Sequence, residues 1–232
     1  MLEVKNIRVY DLCESIVASG YAMLAKYDEK ELMHSIGELE TAIVEGDTDK
    51  LLENKNIKRI IRLVQASKKS NTVKCHDNFL TGIRVSFDLK YPCYFSPEFQ
   101  RYHYADIVTS MSKMHKLVSM DIDECCNKYV TTETKENLKK YIDEYKDCID
   151  KAAENKVDND DIYKTFMKVL SNCPHGLELV MRVSTNYKQL QTMYFQRKDH
   201  RLKEDWGTFC EFIKKLPLAD YLILGKEIDN AD

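Results

Sequence analysis

The sequence lacks a run of apolar residues long enough to span a bilayer, since no stretch approaches the roughly 20 residues required. Its first residues show no charged segment followed by a long apolar core, so no secretory signal is expected. The formal net charge is only -3, which gives no bulk attraction to nucleic acid or anionic lipid. These absences predict a cytoplasmic protein with neither a membrane nor a nucleic-acid partner.

Glycine and proline are scarce, at 7 and 4 of 232 residues, while apolar residues make up 44% of the chain. This is the composition of an ordered globular protein. The length suits one large domain or two small ones and allows a substantial core. Because no repeat, low-complexity run or linker marks a boundary, we predict a single domain over residues 1–232.

Familiar catalytic and metal-binding motifs are also missing. There is no G-x-G-x-x-G, P-loop, G-x-S-x-G or H-E-x-x-H pattern, and the histidines do not have metal-ligand spacing. The eight cysteines are scattered, and the adjacent pair lacks the C-x-x-C spacing of zinc or redox sites. We therefore predict no metal, and we expect reduced thiols that mostly act as small buried hydrophobes. The cysteines are Cys13, Cys75, Cys93, Cys125, Cys126, Cys148, Cys173 and Cys210.

Apolar periodicity predicts a chain that mixes helices and strands. An apolar-rich opening predicts a strand at 2–9. Alternating apolar residues, typical of half-buried strands, predict strands at 73–89, where the alternation runs from Ile83 to Leu89, and at 177–183. A polar loop is expected at 68–71. Apolar stripes at helical spacing predict helices at 14–26, 29–44, 51–66, 134–153, after 158, after 186 and at 206–216.

The stretch 102–115, YHYADIVTSMSKMH, follows neither period well. Apolar Ile107, Met111 and Met114 favour a helix. His103 and Ser112, however, are nine residues apart, which places them about 180° apart on an α-helix. If both serve one site, the helix must break between them.

This stretch resembles the signature of the flavin-dependent thymidylate synthases, ThyX, which reads Arg-His-Arg, seven residues, then Ser. The central His falls on His103 and the Ser on Ser112. The two flanking arginines fall on Tyr102 and Tyr104. The later positions depart from the pattern as well. The family's acidic residue, two before the Ser, falls on Ser110, and its closing Arg and Tyr fall on Met114 and His115.

A second segment, 184–201, is similar to the late ThyX pattern Asn-x-Arg-x-Leu, five residues, then Leu-Arg. The Asn, Leu and last Arg fall on Asn186, Leu190 and Arg197, while Lys188 and Gln196 replace the other two residues. A helix from Asn186 brings Arg197 to the same face within about 20° and about 16 Å further on. Such a strand-to-helix turn suits an anionic ligand. The alternative is a capping Asn and a surface Arg.

The resemblance implies an α+β fold with a curved, mainly antiparallel sheet and several packed helices. It implies a homotetramer with sites at subunit contacts. It also assigns residues to the two ligands: flavin to His103 and Asn186, with Lys188 and His76 as further candidates, and deoxyuridylate to Ser112 and Arg197, with Arg101 one residue before the first family Arg. Ser112 is the catalytic candidate.

The activity implied is methylene transfer from methylenetetrahydrofolate to deoxyuridylate (dUMP), with hydride from reduced FAD and NADPH as reductant. Tyr102, Tyr104 and Met114 replace three arginines, and neutral side chains do not neutralise a phosphate dianion. Two alternatives therefore stay open. One is a ThyX-fold protein that has lost synthase activity and binds another nucleotide or a protein partner. The other is a structural oligomer with no ligand.

Overall fold

A computed structural model describes residues 1–46, 48–69, 76–154 and 156–227. The chain divides into two compact units. The first unit consists of Met1–Lys5, Asp88–Arg101 and Ile107–Val183, and the second of Asn6–Phe87, Tyr102–Asp106 and Ser184–Asp232. The single domain over 1–232 stays a prediction.

Four strands form one antiparallel sheet with the order β1-β2-β4-β3. Their bounds are Glu3–Tyr10 for β1, Arg84–Pro92 for β2, Asp106–Ser110 for β3 and Glu178–Asn186 for β4. Alternation along β2 and β4 buries one face of each strand, because successive side chains point to opposite faces. The buried apolar residues of this face include Val85, Phe87, Leu89, Leu179, Met181 and Val183. The α+β class with an antiparallel sheet is confirmed.

The helices of the first unit include one long hairpin. The helices are α5 (Ser96–Phe99), α6 (Lys113–Lys116), α7 (Ile122–Cys125), α8 (Thr132–Ala153) and α9 (Asn159–Ser171). Thr131 and Asp158 cap α8 and α9 through their side chains, as helix starts prefer. The hairpin closes through Tyr145 against Phe166, with ring centroids 5.7 Å apart. The helices predicted at 134–153 and after 158 are confirmed.

The second unit holds seven helices within its described residues. They are α1 (Leu12–Ala18), α2 (Glu29–Glu45), α3 (Thr48–Glu53), α4 (Lys55–Lys69), α10 (Tyr187–Arg197), α11 (Lys203–Lys214) and α12 (Ala219–Leu222). Gly46 ends α2 with φ +68°, a conformation that favours glycine. The aromatic core of this unit brings Phe87 within 4.9 Å of Phe212, measured between ring centroids. The fully buried Trp206 and Phe209 belong to the same core.

The helix predicted at 14–26 is wrong beyond residue 18. The side chain of Arg59 takes over the end of α1, where its Nη2 donates to the carbonyl oxygens of Ile16 and Val17, each at 3.1 Å. A Cβ on Gly20 would lie only 2.6 Å from Cζ of Arg59, so a larger residue at position 20 would force this guanidinium to move. Met23, which lies within the predicted helix range, is 86% exposed.

The single helix predicted at 51–66 is two helices, because Asn54 begins a new one. Its Oδ1 accepts a hydrogen bond from the backbone N–H of Asn56 at 2.9 Å, a local bond that competes with helix continuation. The loop predicted at 68–71 is wrong at 68–69, which belong to α4, and 70–71 lie outside the described residues.

The strand predicted at 73–89 begins later than expected. Residues 73–75 lie outside the described residues, and Asn78–Thr81 is a 3₁₀ helix. The alternation from Ile83 onward is the part that forms β2.

The helix indicated by Ile107, Met111 and Met114 is also wrong. Residues 106–110 form strand β3, and the backbone N–H of Met111 donates to the carbonyl of Val180 at 2.9 Å. Pairing with β4 outweighs a weak helical pattern. His103 and Ser112 are therefore separated by a strand.

Candidate functional site

The turn that carries His103 is joined to the start of α10 within the second unit. The hydroxyl of Thr185, a fully buried residue, donates to the carbonyl oxygen of Tyr104 at 2.8 Å. The turn is closed by the N–H of Ala105, which donates to the carbonyl of Tyr102 at 3.0 Å. The backbone of residues 102–105 therefore has a fixed position beside the end of β4.

The side chain of Tyr102 joins the same turn to the other end of α10. Tyr102 is buried, its hydroxyl donates to Oε1 of Gln196 at 3.0 Å, and it accepts from Nε of Arg197 at 2.7 Å. Together with the bond from Thr185, these bonds hold the 102–104 turn at both ends of the helix that follows Asn186. The two segments singled out from the sequence are thus brought together.

Arg197 is held among aromatic rings. Its guanidinium carbon lies 4.6 Å from the ring centroid of Trp206 and 5.5 Å from that of Tyr102, within the range of cation–π attraction. The ring of His200 lies 6.2 Å from that of Trp206, and its Nδ1 accepts from the N–H of Leu202 at 3.2 Å. Arg197 is half-buried, so these contacts fix where its charge lies.

Asn186 caps α10, as the sequence predicts. Its Oδ1 accepts from the N–H of Gln189 at 2.8 Å, and the residue is buried. Leu190 and Met193 are fully buried on the following turns. The helix prediction and the capping role are confirmed, and a role of Asn186 in flavin binding stays a prediction.

Lys188 pairs with a buried carboxylate that the sequence analysis missed. Its Nζ lies 2.5 Å from Oδ2 of Asp77 and 3.1 Å from Oε1 of Gln191. Asp77 is 2% exposed, and its Oδ1 has no hydrogen-bond partner among the described residues. Since a buried charge needs a partner, Lys188 has a structural role here. The neighbouring His76 is exposed and lines an open groove beside α1.

The remaining predicted site residues lie at the surface. His103 is exposed in its turn and Tyr104 is 70% exposed, both in the second unit. Arg101 is exposed and Ser112 is half-exposed, and both belong to the first unit. Ser112 is the residue before α6 and makes no side-chain capping bond.

Two features of the site were missed because their partners are distant in sequence. Trp206 is the only tryptophan of the chain, and its position after a helix ending in Arg197 is a signal that could have suggested a cation–π contact. Asp77 adjoins His76 but is 111 residues from Lys188, so only the fold reveals that pair.

Two features are absent from the part of the chain that the structure describes: a metal-binding cluster and a membrane-spanning helix. It contains no cluster of three or more His, Cys, Asp or Glu side chains suited to a metal ion. Within the same residues, none of the helices is both long and apolar enough to cross a bilayer.

Comparison with known proteins identifies solved structures of similar fold. No family model matches the sequence, and no curated protein matches it. A crystal structure of flavin-dependent thymidylate synthase ThyX from Helicobacter pylori, complexed with FAD and dUMP, matches with a TM-score of 0.59. The match has 14% sequence identity and covers 95% of this chain and 97% of that one. A second structure of ThyX from Helicobacter pylori with FAD and dUMP gives a TM-score of 0.53 at 14% identity, covering 96% and 97%. At this identity the likeness establishes a ThyX-like fold and not an activity.

Proposed function

We propose that this protein binds a flavin and a nucleotide in the manner of ThyX, and that flavin-dependent thymidylate synthesis is its leading activity. One observation carries the proposal. The turn of His103 and the helix from Asn186 to Arg197, chosen for their resemblance to two ThyX segments, are bonded to each other through Tyr102 and Thr185. The similar structures, which hold FAD and dUMP, support the choice of ligands.

Exposed and buried residues would have different roles in holding a flavin. The exposed imidazole of His103 is available to contact a ring system, whereas Asn186 fixes the start of α10 through its cap. Lys188 and His76 are further flavin candidates, with Lys188 acting through its pair with Asp77. When bound, reduced FAD would supply the hydride, and NADPH would then reduce the oxidised flavin again. The protein's own contribution is to bind and orient.

The nucleotide side of the site carries fewer charges than a phosphate dianion requires. Arg197 supplies a fixed cation. By the resemblance, Arg101 and Ser112 are further candidates for binding the nucleotide. Tyr102, Tyr104 and Met114 are neutral, and the Tyr102 hydroxyl already bonds two neighbours. Phosphates are held mainly by charge-assisted bonds. The donor set therefore fits a flat ring better than a dianion.

A second candidate function stays open: a ThyX-fold protein that has lost synthase activity and binds another nucleotide or a protein partner. In either case we propose a homo-oligomer, most simply a tetramer, from the resemblance.

The test combines a spectrum with a growth assay. The leading proposal predicts a yellow protein with flavin absorption and bound FAD in the native mass spectrum. It also predicts restored growth of a thymine-requiring strain. Flavin without restored growth selects the second candidate. The absence of both flavin and nucleotide binding contradicts the leading proposal and leaves the second candidate only with a protein partner.

A further inference from the structure

Strand β3 has an outer edge that no other strand of the described residues pairs with. It is the last strand in the sheet order, and all five of its residues are exposed. Its other side pairs with β4, as shown by the bond from the Met111 N–H to the Val180 carbonyl. The outer edge of such a strand presents backbone groups able to pair with another chain.

The alternation along an antiparallel strand determines which residues present their backbone N–H and C=O groups at the outer edge. The N–H and C=O of a residue point to the same side, and neighbouring residues alternate. Because Met111 faces β4, the residues with outward backbone groups are Asp106, Val108 and Ser110. Val108 is at the centre of the three, and its side chain is 62% exposed.

The opposite edge of the sheet differs. Strand β1 carries charged Lys5 and Arg8, and its Asn6 has φ 49°, which interrupts a regular ladder. Natural edge strands are protected in this way by charge and irregularity. Strand β3 has one charged residue, Asp106, with neither Lys nor Pro.

We propose that β3 pairs antiparallel with β3 of a second copy of this chain, about a twofold axis at Val108. In this register Val108 faces Val108, Asp106 faces Ser110 and Ile107 faces Thr109. No like charges face each other, and the apolar Val108 side chains meet. An isologous contact requires such self-complementarity. The inference does not depend on flavin or nucleotide binding, so the absence of either ligand would leave it standing.

The first experiment removes one outward donor. Val108→Pro deletes the N–H that the twofold pairing needs and leaves the bonds to β4 intact, since proline is tolerated at a strand edge. Val108→Thr, which keeps the donor, is the control. Light scattering at micromolar concentration should give at least the dimer mass for wild type and Val108→Thr, and half the wild-type mass for Val108→Pro. A monomeric wild type, or an unchanged mass for a folded Val108→Pro, overturns the proposal.

The second experiment tests the register even if the proline variant does not fold. Facing hydrogen-bonded residues have Cα atoms about 5.5 Å apart, within the roughly 4.4–6.8 Å that a disulfide spans. With oxidised glutathione, Val108→Cys should give a covalent dimer linked through residue 108, identified by peptide mass. Ser110→Cys, which faces Asp106, should not link to itself. No linkage at 108, or equal linkage at both positions, contradicts the twofold axis.

Discussion

Nε of Arg197 donates a hydrogen bond to the hydroxyl of Tyr102 at 2.7 Å, and the two residues are 95 positions apart in the chain. The residue that falls on a family arginine position therefore binds the arginine that the second segment retains. A cation at position 102 would repel Arg197, whereas a tyrosine orients it. Compared with the ThyX pattern, position 102 carries one charge fewer, and its tyrosine orients the side chain of Arg197.

Removing the Tyr102 hydroxyl should destabilise the fold. Tyr102→Phe keeps the buried ring but leaves Arg197 and Gln196 without this hydroxyl, and a lost hydrogen bond to a charged group costs about 1.5–3 kcal/mol. We expect the free energy of unfolding in urea to fall by about that amount. Tyr104→Phe, on an exposed side chain, should stay within about ±0.5 kcal/mol. Equal effects of the two variants would show that the Tyr102 bond contributes nothing.

The ion pair of Lys188 and Asp77 should be strongly coupled. Lys188→Met leaves the buried Asp77 carboxylate without its cation, and breaking a buried pair costs about 3–5 kcal/mol. Lys188→Met combined with Asp77→Leu should recover much of that loss, because no charge stays buried. Urea unfolding of the single and double variants measures the coupling. If Lys188→Met alone loses less than about 1 kcal/mol, the pair is a surface interaction.

Buried thiols should make the protein less stable at high pH. Burial, with Glu40 and Glu14 nearby, raises the pKa of Cys13 from 9.0 to about 12. Burial also raises the pKa of Cys210 from 9.0 to about 11. Above pH 9 the unfolded thiols lose protons that the folded ones keep, so the free energy of unfolding falls as the pH rises further.

Alkylation with iodoacetamide at pH 8, read by peptide mass, tests the same thiols directly. The thiolate is the reactive form, so Cys13 and Cys210 should react more slowly than the half-exposed Cys125. In urea the three should react at similar rates. Rapid labelling of Cys13 in the folded protein would contradict its burial.

Deoxyuridylate should bind weakly. Each lost charge-assisted bond is worth about 1.5–3 kcal/mol, and Tyr102, Tyr104 and Met114 replace three arginines of the resemblance. We expect no calorimetric binding below roughly millimolar concentration. Micromolar binding would indicate that other cations, such as Arg101 or Lys188, hold the phosphate, and Arg101→Ala and Lys188→Ala would identify which.

Local patterns in the sequence predicted much of the fold. Alternation revealed β2 from Ile83 onward and β4, and the Asn186 cap together with buried Leu190 and Met193 predicted α10. These elements follow from side chains near each other in sequence. The resemblance of the 102–115 and 184–201 segments predicted the fold class that the similar structures support.

The errors occur where a distant side chain or strand decides the local structure. Arg59 ends α1 from 42 residues away, and β4 holds 106–110 as a strand against a helical pattern. The same holds for the candidate site. The sequence placed Asn186 and Arg197 on one helix, but the partners Tyr102, Trp206 and Asp77 emerge only from the fold.

The most direct test of the proposed site uses Arg197, measured with whichever flavin or nucleotide the native protein binds. Ligand affinity and melting temperature are compared for wild type, Arg197→Ala and Arg197→Lys. Arg197→Ala should weaken the ligand by more than tenfold while the protein stays folded. Arg197→Lys should restore only part of the affinity, because an ammonium cannot make the planar two-point contact. If folded Arg197→Ala binds the ligand as tightly as wild type, the proposed site is wrong and Arg197 only stabilises the aromatic cluster.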